Sequence, residues 1–490
     1  MQRLVVASIL MLAVRPVLAQ VDTVNTIVNA TDATGAASGN SLAAFGYDGN
    51  DTIYTTTFAA SGTLRRITGI NSTPSAAQVL STTQYQLFYR SGDPSRTVST
   101  PSASGIIFNP VATPGGIGAF GAAWISDLAN TNLPTGSSTK DPAETKRLYR
   151  YNLGNPPVGG DGRDIFTTMT TLAAQQTAAS TTATTDNFGR QATFSPDGKW
   201  IYANDSSTGF GGIYRINPDT GATTRIVTSN SGTAINTEPA VVKNGTQDRI
   251  FFRGNTAGGN IGGVNYVDHD PTTNTTSAQQ ALLTAADLQA FLETASATDV
   301  SSIGSDAAGN LYIHDSTSKV VIRYDTLGRM SKVVTRTERD QALTTDGVGG
   351  TLPTGNFLRQ QFRTITHPTA GSVTQLMYAE TTPLNQVAGV TVFKPGDFNR
   401  DGSANAADLA LLASKITLRG VVSPVADSRF DMNGNLTIDY KERQAGAAVH
   451  RLQGWRCHLG HAGELQRSAC ACRQLQRHGQ DLDDGRLHRR

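Results

Sequence analysis

Between Val21 and Phe393 short apolar stretches alternate with polar positions and are cut by turn sequences rich in Pro, Asp and Gly. The clearest instance runs Ala192-Thr193-Phe194-Ser195-Pro196-Asp197-Gly198-Lys199-Trp200-Ile201-Tyr202-Ala203-Asn204-Asp205, then Gly212-Ile213-Tyr214-Arg215-Ile216, Asn217-Pro218-Asp219-Thr220-Gly221 and Arg225-Ile226-Val227. Period-two alternation predicts strands, and Pro-Asp-Gly and Pro-Asp-Thr-Gly predict tight reversals, so this stretch reads as a meander of three strands. Weaker copies run from Phe45 to Ile67 and from Ile303 to Asp325. Degenerate ones contain Ala123-Trp124-Ile125 with Arg147 to Tyr151, Arg249 to Phe252, and Leu376-Met377-Tyr378 with Gly389 to Phe393. Aligned on the aromatic of the second strand (Tyr54, Trp124, Tyr202, Phe252, Tyr312, Tyr378), the copies recur every 50 to 80 residues or so. A repeat of one antiparallel meander predicts a mainly β chain folded as a propeller of six or seven blades. A parallel β-helix would show shorter, stricter repeats, and a β-sandwich would not repeat a blade. The one helical pattern of this region, Ala281 to Ala295, begins with Thr284 as a cap and Asp287 three residues on, an insertion between blades.

The Ser195-Pro196-Asp197-Gly198-Lys199-Trp200-Ile201-Tyr202 segment is similar to the WD40-like and YVTN families of extracytoplasmic propellers. After Phe393 the pattern changes. Asp397, Asn399, Asp401, Asn405 and Asp408 fall at positions 1, 3, 5, 9 and 12 of a twelve-residue loop, with Gly402 at position 6 and Ser403 offering its carbonyl from position 7. Hard Ca²⁺ takes oxygen ligands, and this alternation lets a short backbone wrap one ion while glycine makes the sharp turn. Asp431, Asn433, Asn435, Thr437, Asp439 and Glu442 repeat the spacing, except that Leu436 stands where glycine is expected. A branched side chain at that left-handed position predicts a weaker second site. Leu409, Leu412 and Ile416 give the first loop an exiting helix with one apolar face. Pro395-Gly396 precedes it in place of an entering helix. Loop then helix, twice, resembles the dockerin type I module of secreted bacterial proteins. The resemblance implies calcium held by the two sets of residues just named, and a protein partner met through the module. Positions 10 and 11, which help dockerins recognise cohesins, are Ala406-Ala407 and Tyr440-Lys441 here and depart from the family's usual Ser or Thr.

The organisation read from the sequence is therefore a signal peptide over 1–19, a propeller over 20–393, a calcium-binding module over 394–443, and a tail over 444–490. Met1-Gln2-Arg3, the apolar run Leu4 to Val14 and Val17-Leu18-Ala19 before Gln20 have the order of a secretory signal. They predict an extracellular or cell-surface protein. No run approaches the roughly 20 apolar residues of a membrane-spanning helix. All three cysteines, Cys457, Cys470 and Cys472, lie in the tail, so the propeller is expected to be held by packing and calcium without disulfides. The formal net charge of +2 is also the tail's doing: it carries eight Arg against four Asp and Glu, and the rest is slightly acidic. A nucleic-acid or membrane-surface function is not indicated. The tail's Cys and His spacing fits no zinc template. Shifted by one base, its permitted codons include a third loop with the same ligand spacing, so the segment reads as a frameshifted continuation with no fold of its own.

Within the propeller, His269, His314 and His367 show no paired or triad spacing. Glu238, Asp306 and Asn310 could meet an ion in the central channel, or could simply serve turns. The sequence thus points to a non-catalytic recognition or assembly protein that binds calcium, its partner a protein or a cell-surface glycan. A polysaccharide hydrolase or lyase with its site on the propeller face is one alternative, and a structural envelope component is another.

Overall fold

The computed structural model describes residues 24–35, 41–58, 64–80, 103–111, 122–127, 148–152, 166–168, 192–205, 211–218, 222–228, 237–254, 260–335, 338–339, 358–380, 385–415 and 430–431. The signal-peptide segment, the second calcium loop beyond Asp431 (Asn433, Asn435, Thr437, Asp439, Glu442) and the tail lie outside these residues.

Strand β1 (Val24–Val28) and a short helix α1 (Ala30–Thr34) come first. Six antiparallel sheets follow the chain in order. The first contains β2 (Ser41–Tyr47), β3 (Thr52–Phe58), β4 (Leu64–Thr68) and β5 (Ser75–Leu80); the second β6 (Ala103–Ile107), β7 (Ala122–Asp127), β8 (Leu148–Asn152) and β9 (Phe166–Thr168). The third contains β10 (Ala192–Phe194), β11 (Ile201–Asp205), β12 (Gly212–Ile216) and β13 (Thr223–Thr228). In the fourth, β14 (Ala240–Asn244), β15 (Gln247–Arg253) and β16 (Val264–Asp270) are completed by β17 (Thr275–Thr276) and β18 (Gln280–Leu283), both paired to β16. The fifth has β19 (Val300–Ser305), β20 (Leu311–Asp315), β21 (Val320–Tyr324) and β22 (Met330–Thr335). The sixth has β23 (Leu358–His367), β24 (Gly371–Glu380) and β25 (Gln386–Val392), and β1 returns to pair with β25 as its outermost strand.

The first strands of the sheets touch in sequence, β2 to β6, β6 to β10, β10 to β14, β14 to β19, β19 to β23, and β23 back to β2. That closed ring makes each sheet a blade, with its first strand innermost. The segment 192–227 forms four strands where three were expected, because Ala192–Phe194 separates from Ile201–Asp205 at the Ser195–Trp200 turn. Among the described residues the apolar side chains gather in clusters that join neighbouring blades, so the core lies in layers between them. Tyr202, Ile213 and Val227 of the third blade pack on Val241, Ile250, Phe252 and Val267 of the fourth. Tyr312, Val321 and Val334 of the fifth pack on Leu376, Tyr378 and Val390 of the sixth. Innermost strands approach closely enough that a Cβ on Gly46 would fall 2.6 Å from the Ile106 side chain, which explains a side chain of hydrogen at that point.

The helical pattern after residue 280 is shorter than expected. Helix α2 (Ala285–Leu292) has the predicted capping box between Thr284 and Asp287, but Gln280–Leu283 is drawn into the sheet as β18. Leu288 and Leu292 bury against the fourth and fifth blades. No helix among the described residues is long and apolar enough to cross a membrane.

Candidate functional site

The twelve-residue loop 397–408 is closed by its own side chains on its backbone amides. Gly402 at position 6 takes φ 89°, a left-handed backbone that a side chain would strain, and Arg400 at position 4 takes φ 61°. Asp397 Oδ1 and Oδ2 accept the amides of Asp401 (3.0 Å) and Gly402 (2.9 Å). Asp408 Oδ1 and Oδ2 accept those of Asn399 (2.9 Å) and Asn405 (2.8 Å), clamping the loop's two halves. The side chains of Asn399 and Asn405 donate to Asp401 Oδ2, at 2.9 and 3.5 Å. Burial, and then the neighbouring carboxylates of Asp408 and Asp401, raise the Asp397 carboxyl above its usual range, although the amides of Gly402 and Asp401 counteract them. Every candidate donor is an oxygen of a carboxylate, amide or main-chain carbonyl, the set that hard divalent cations take and thiophilic metals do not. Among the described residues no group of three or more His, Cys, Asp or Glu side chains is placed to hold a metal by itself. An ion here therefore needs the amide and carbonyl oxygens of Asn399, Ser403 and Asn405 as well. Of the second loop only Asp431 is described; it is buried next to Phe430, whose ring lies 5.1 Å from that of Phe398.

Helix α3 (Ala406–Lys415) leaves the loop, and Leu412 buries with Phe398 and Phe430 while Leu411 packs partly against them. Leu409 is only half-buried, and Ile416 lies outside the described residues. The loop is fastened to the sixth blade at the turn between β23 and β24. Thr369 donates to the Arg400 carbonyl at 2.6 Å, Lys394 Nζ to the Gly402 carbonyl at 2.5 Å, and the Arg400 guanidinium lies 4.8 Å over the Phe393 ring. A Cβ on Gly402 would meet the Ala370 carbonyl oxygen at 2.8 Å, so glycine serves the docking as well as the turn. Nothing in the spacing of the motif announced Thr369, Ala370 or Lys394 as its partners.

In the propeller, Asp306 and Asn310 belong to the β19–β20 turn. Asp306 accepts the amides of Ala308 and Asn310, the Asn310 side chain at 2.8 Å and the Tyr312 hydroxyl at 3.0 Å. The turn absorbs them, and none of their hydrogen bonds goes to Glu238. Beside Glu238 stands Arg359 at the start of β23, in a left-handed backbone (φ 57°). Burial raises the Glu238 carboxyl to about 8, Arg359 opposing, and its Oε2 has no hydrogen-bond partner among the described residues.

The histidines are hydrogen-bonded, not clustered. His269 is fully buried, with Nδ1 2.9 Å from the Thr276 hydroxyl and Nε2 3.0 Å from Arg215. His314 is equally buried, with Nδ1 2.7 Å from the Ser301 hydroxyl, and His367 contacts the Thr369 hydroxyl. Burial lowers His269 to about 4 and His314 to about 3, from an ordinary 6.5. The folded state thus binds fewer protons than the unfolded one below pH 6.5. Stability should be full above that value and fall as the pH drops toward 4, by up to about 1.4 kcal/mol per pH unit for each histidine. Urea midpoints measured at pH 7, 6 and 5 should decline in order; a flat series would show that the imidazoles gain protons without unfolding.

No protein-family model matches the chain, and no curated protein is similar to it in sequence. Among solved structures, a luciferin-regenerating enzyme is similar with TM-score 0.40 and 13% identity, over 75% of this chain and 94% of that one. Regucalcin from Agrobacterium tumefaciens, a calcium-binding protein, gives 0.39 and 11% over 72% and 90%. YCF48 bound to a D1 peptide gives 0.35 and 9% over 75% and 96%. Likenesses this distant assign neither family nor activity.

Proposed function

We propose that this chain is an extracellular, calcium-binding recognition or assembly protein: a non-catalytic propeller whose C-terminal loop takes Ca²⁺ and presents a surface to a protein partner or a cell-surface glycan. The carrying observation is the 397–408 loop, in which Asp397 and Asp408 are each held by two backbone amides around an oxygen-only donor set. Asp397, Asn399, Asp401, Asn405 and Asp408 would supply side-chain oxygens and Ser403 its carbonyl. Bound calcium would neutralise the carboxylates that crowd one another there. Asp431, with Asn433, Asn435, Thr437, Asp439 and Glu442, would form the second site in the same manner. The order of the first nineteen residues supports export, where millimolar calcium makes modest sites effective.

The hydrolase or lyase alternative is supported by one observation, the Glu238 carboxyl raised into the range of a general acid. A glycosidase of the common type works with two carboxylates, and the charged neighbour of Glu238 is the cation Arg359. The recognition reading is therefore preferred.

Calcium at about 100 times its Kd should stabilise the protein by about 2.7 kcal/mol. Asp397→Ala with Asp401→Ala should abolish that increment and leave the far-ultraviolet β signature unchanged. Scanning calorimetry in calcium and in EDTA measures both. A calcium response that survives the double substitution would place the ion elsewhere.

A further inference from the structure

The sheet that closes the ring is built from both ends of the propeller, and its last strand from the C-terminal side runs directly into the 397–408 loop. Strand β1 pairs with β25, Val24 opposite Val390 and Val28 opposite Val387. A second tie crosses the face of the sheet. Arg363 Nε donates to Gln375 Oε1 at 2.8 Å, and Gln375 Nε2 donates to Asn25 Oδ1 at 3.0 Å. The Gln375 amide reaches β1 over Gly389 of β25, where a Cβ would come within 2.8 Å of it. Both ties hold β1 only while β25 keeps its place between β24 and β1.

The loop docks at the free end of β25. Val392 pairs with Thr374, Phe393 and Lys394 follow, and the Asp397 amide turns back onto the Lys394 carbonyl at 3.0 Å. The His367 ring meets that of Phe393 edge-on at 5.1 Å, and the Arg400 guanidinium lies over the same Phe393 ring. Thr369 and Lys394 hold the carbonyls of Arg400 and Gly402. Phe398 and Arg400 also share a narrow cleft with Ser331 and Lys332 of the fifth blade. The loop thus straddles the β23–β24 turn and the exit of β25, at the end of the sheet where β1 begins. The two carbonyls it offers belong to its two left-handed residues, Arg400 at φ 61° and Gly402 at φ 89°, so they meet the blade only while the loop keeps its closed turn. Thr369 and Lys394 are exposed, and hydrogen bonds from such positions hold little unless their acceptors are fixed.

We infer that the loop is a calcium-set clasp on the closure of the ring. An ion at 397–408 fixes the turn through Arg400 and Gly402, the turn pins the end of β25 to the β23–β24 hairpin, and β25 holds β1. Without the ion the carboxylates of Asp397, Asp401 and Asp408 crowd one another, the turn loosens, and the β1 edge opens before the rest of the propeller. The third blade, across the ring, takes no part in the dock and should not feel the change. By linkage the effect is reciprocal: docking raises calcium affinity by the factor by which calcium strengthens docking. This inference rests on the calcium reading above.

The test is hydrogen exchange of the full chain in calcium and in EDTA, read by mass spectrometry, with calcium itself titrated separately by calorimetry. Calcium should slow exchange at Val24–Val28 and Gln386–Val392 at least tenfold, and at Ile201–Asp205 and Gly212–Ile216 of the third blade less than twofold. Thr369→Val combined with Lys394→Met keeps every calcium donor and loosens the dock. That variant should still bind calcium, while calcium slows exchange at β1 and β25 less than threefold. Should the double variant not fold, Thr369→Val alone removes the contact to Arg400 and should cut the slowing at least twofold. Calcium binding with no slowing at β1 and β25 overturns the inference and leaves the calcium reading standing. Absence of calcium binding overturns both. Slowing spread equally over all blades, or slowing indifferent to Thr369 and Lys394, also overturns it.

Discussion

Val28→Asp should open the propeller, at a cost of about 4 kcal/mol. Val28 is fully buried and lies opposite Val387 in the pairing of β1 with β25. It belongs to the layer in which Ile27 and Met377 of the sixth blade pack on Leu42, Phe45 and Ile53 of the first. A carboxylate among these apolar side chains must either be desolvated or pull β1 away. Losing β1 exposes the edge of β25 and unties the ring at the junction where its two ends meet. Because one strand closes the ring, the damage is not confined to one hairpin. Thr31→Asp, on the exposed face of α1, introduces the same charge three residues on and should leave the melting temperature within a degree or two. Calorimetry of the two variants, with limited proteolysis to detect a released N-terminus, decides it. A Val28→Asp protein that melts with the parent would mean that β1 is dispensable for closure.

The repeat was legible where local chemistry repeats. All six aromatic residues used to align the copies fall in the second strand of a blade, Tyr54 in β3, Trp124 in β7, Tyr202 in β11, Phe252 in β15, Tyr312 in β20 and Tyr378 in β24. At Tyr54, Tyr202, Phe252, Tyr312 and Tyr378 that position is buried, so it must be large even where the turns have drifted. The closing strand was not legible. Val24-Asn25-Thr26-Ile27-Val28 has no turn signature and no aromatic, and its place is fixed by Val390, Gly389 and Ala388 at the far end of the propeller. Residues 281–283 suit helix or strand equally by their apolar content, and pairing with β16 makes them strand. The conformation of the 397–408 loop was legible because its left-handed glycine and its carboxylate-to-amide clamps are contained in twelve consecutive residues. The loop's docking on Thr369 and Ala370, like the electrostatic influence of Arg359 on Glu238, joins residues distant in sequence and leaves no spacing to find.

Asp248→Ala should cost about 3 kcal/mol, because it removes the centre of the contact between the third and fourth blades. Asp248 is fully buried at the start of β15. Its Oδ2 accepts the Tyr202 hydroxyl at 2.6 Å, and its Oδ1 lies 2.6 Å from Lys243 Nζ, which also reaches Asp197 at 2.8 Å. Tyr202 is itself buried, and burial followed by the Asp248 charge raises its hydroxyl well above the usual range, so it remains a donor at every working pH. Removing the carboxylate leaves that donor in the core with no acceptor, while Lys243 keeps Asp197 and partial access to water. The two losses differ in kind and can be separated. Tyr202→Phe alone deletes one hydrogen bond and leaves Asp248 paired with Lys243, a cost of about 1–2 kcal/mol. Adding Tyr202→Phe to Asp248→Ala removes the stranded hydroxyl and should return about 1 kcal/mol or more. Urea unfolding of the two single variants and the double variant closes the cycle. Strictly additive losses would show that the hydroxyl finds another partner once Asp248 is gone, and that the contact between these blades rests on Val241, Phe252 and their apolar neighbours alone.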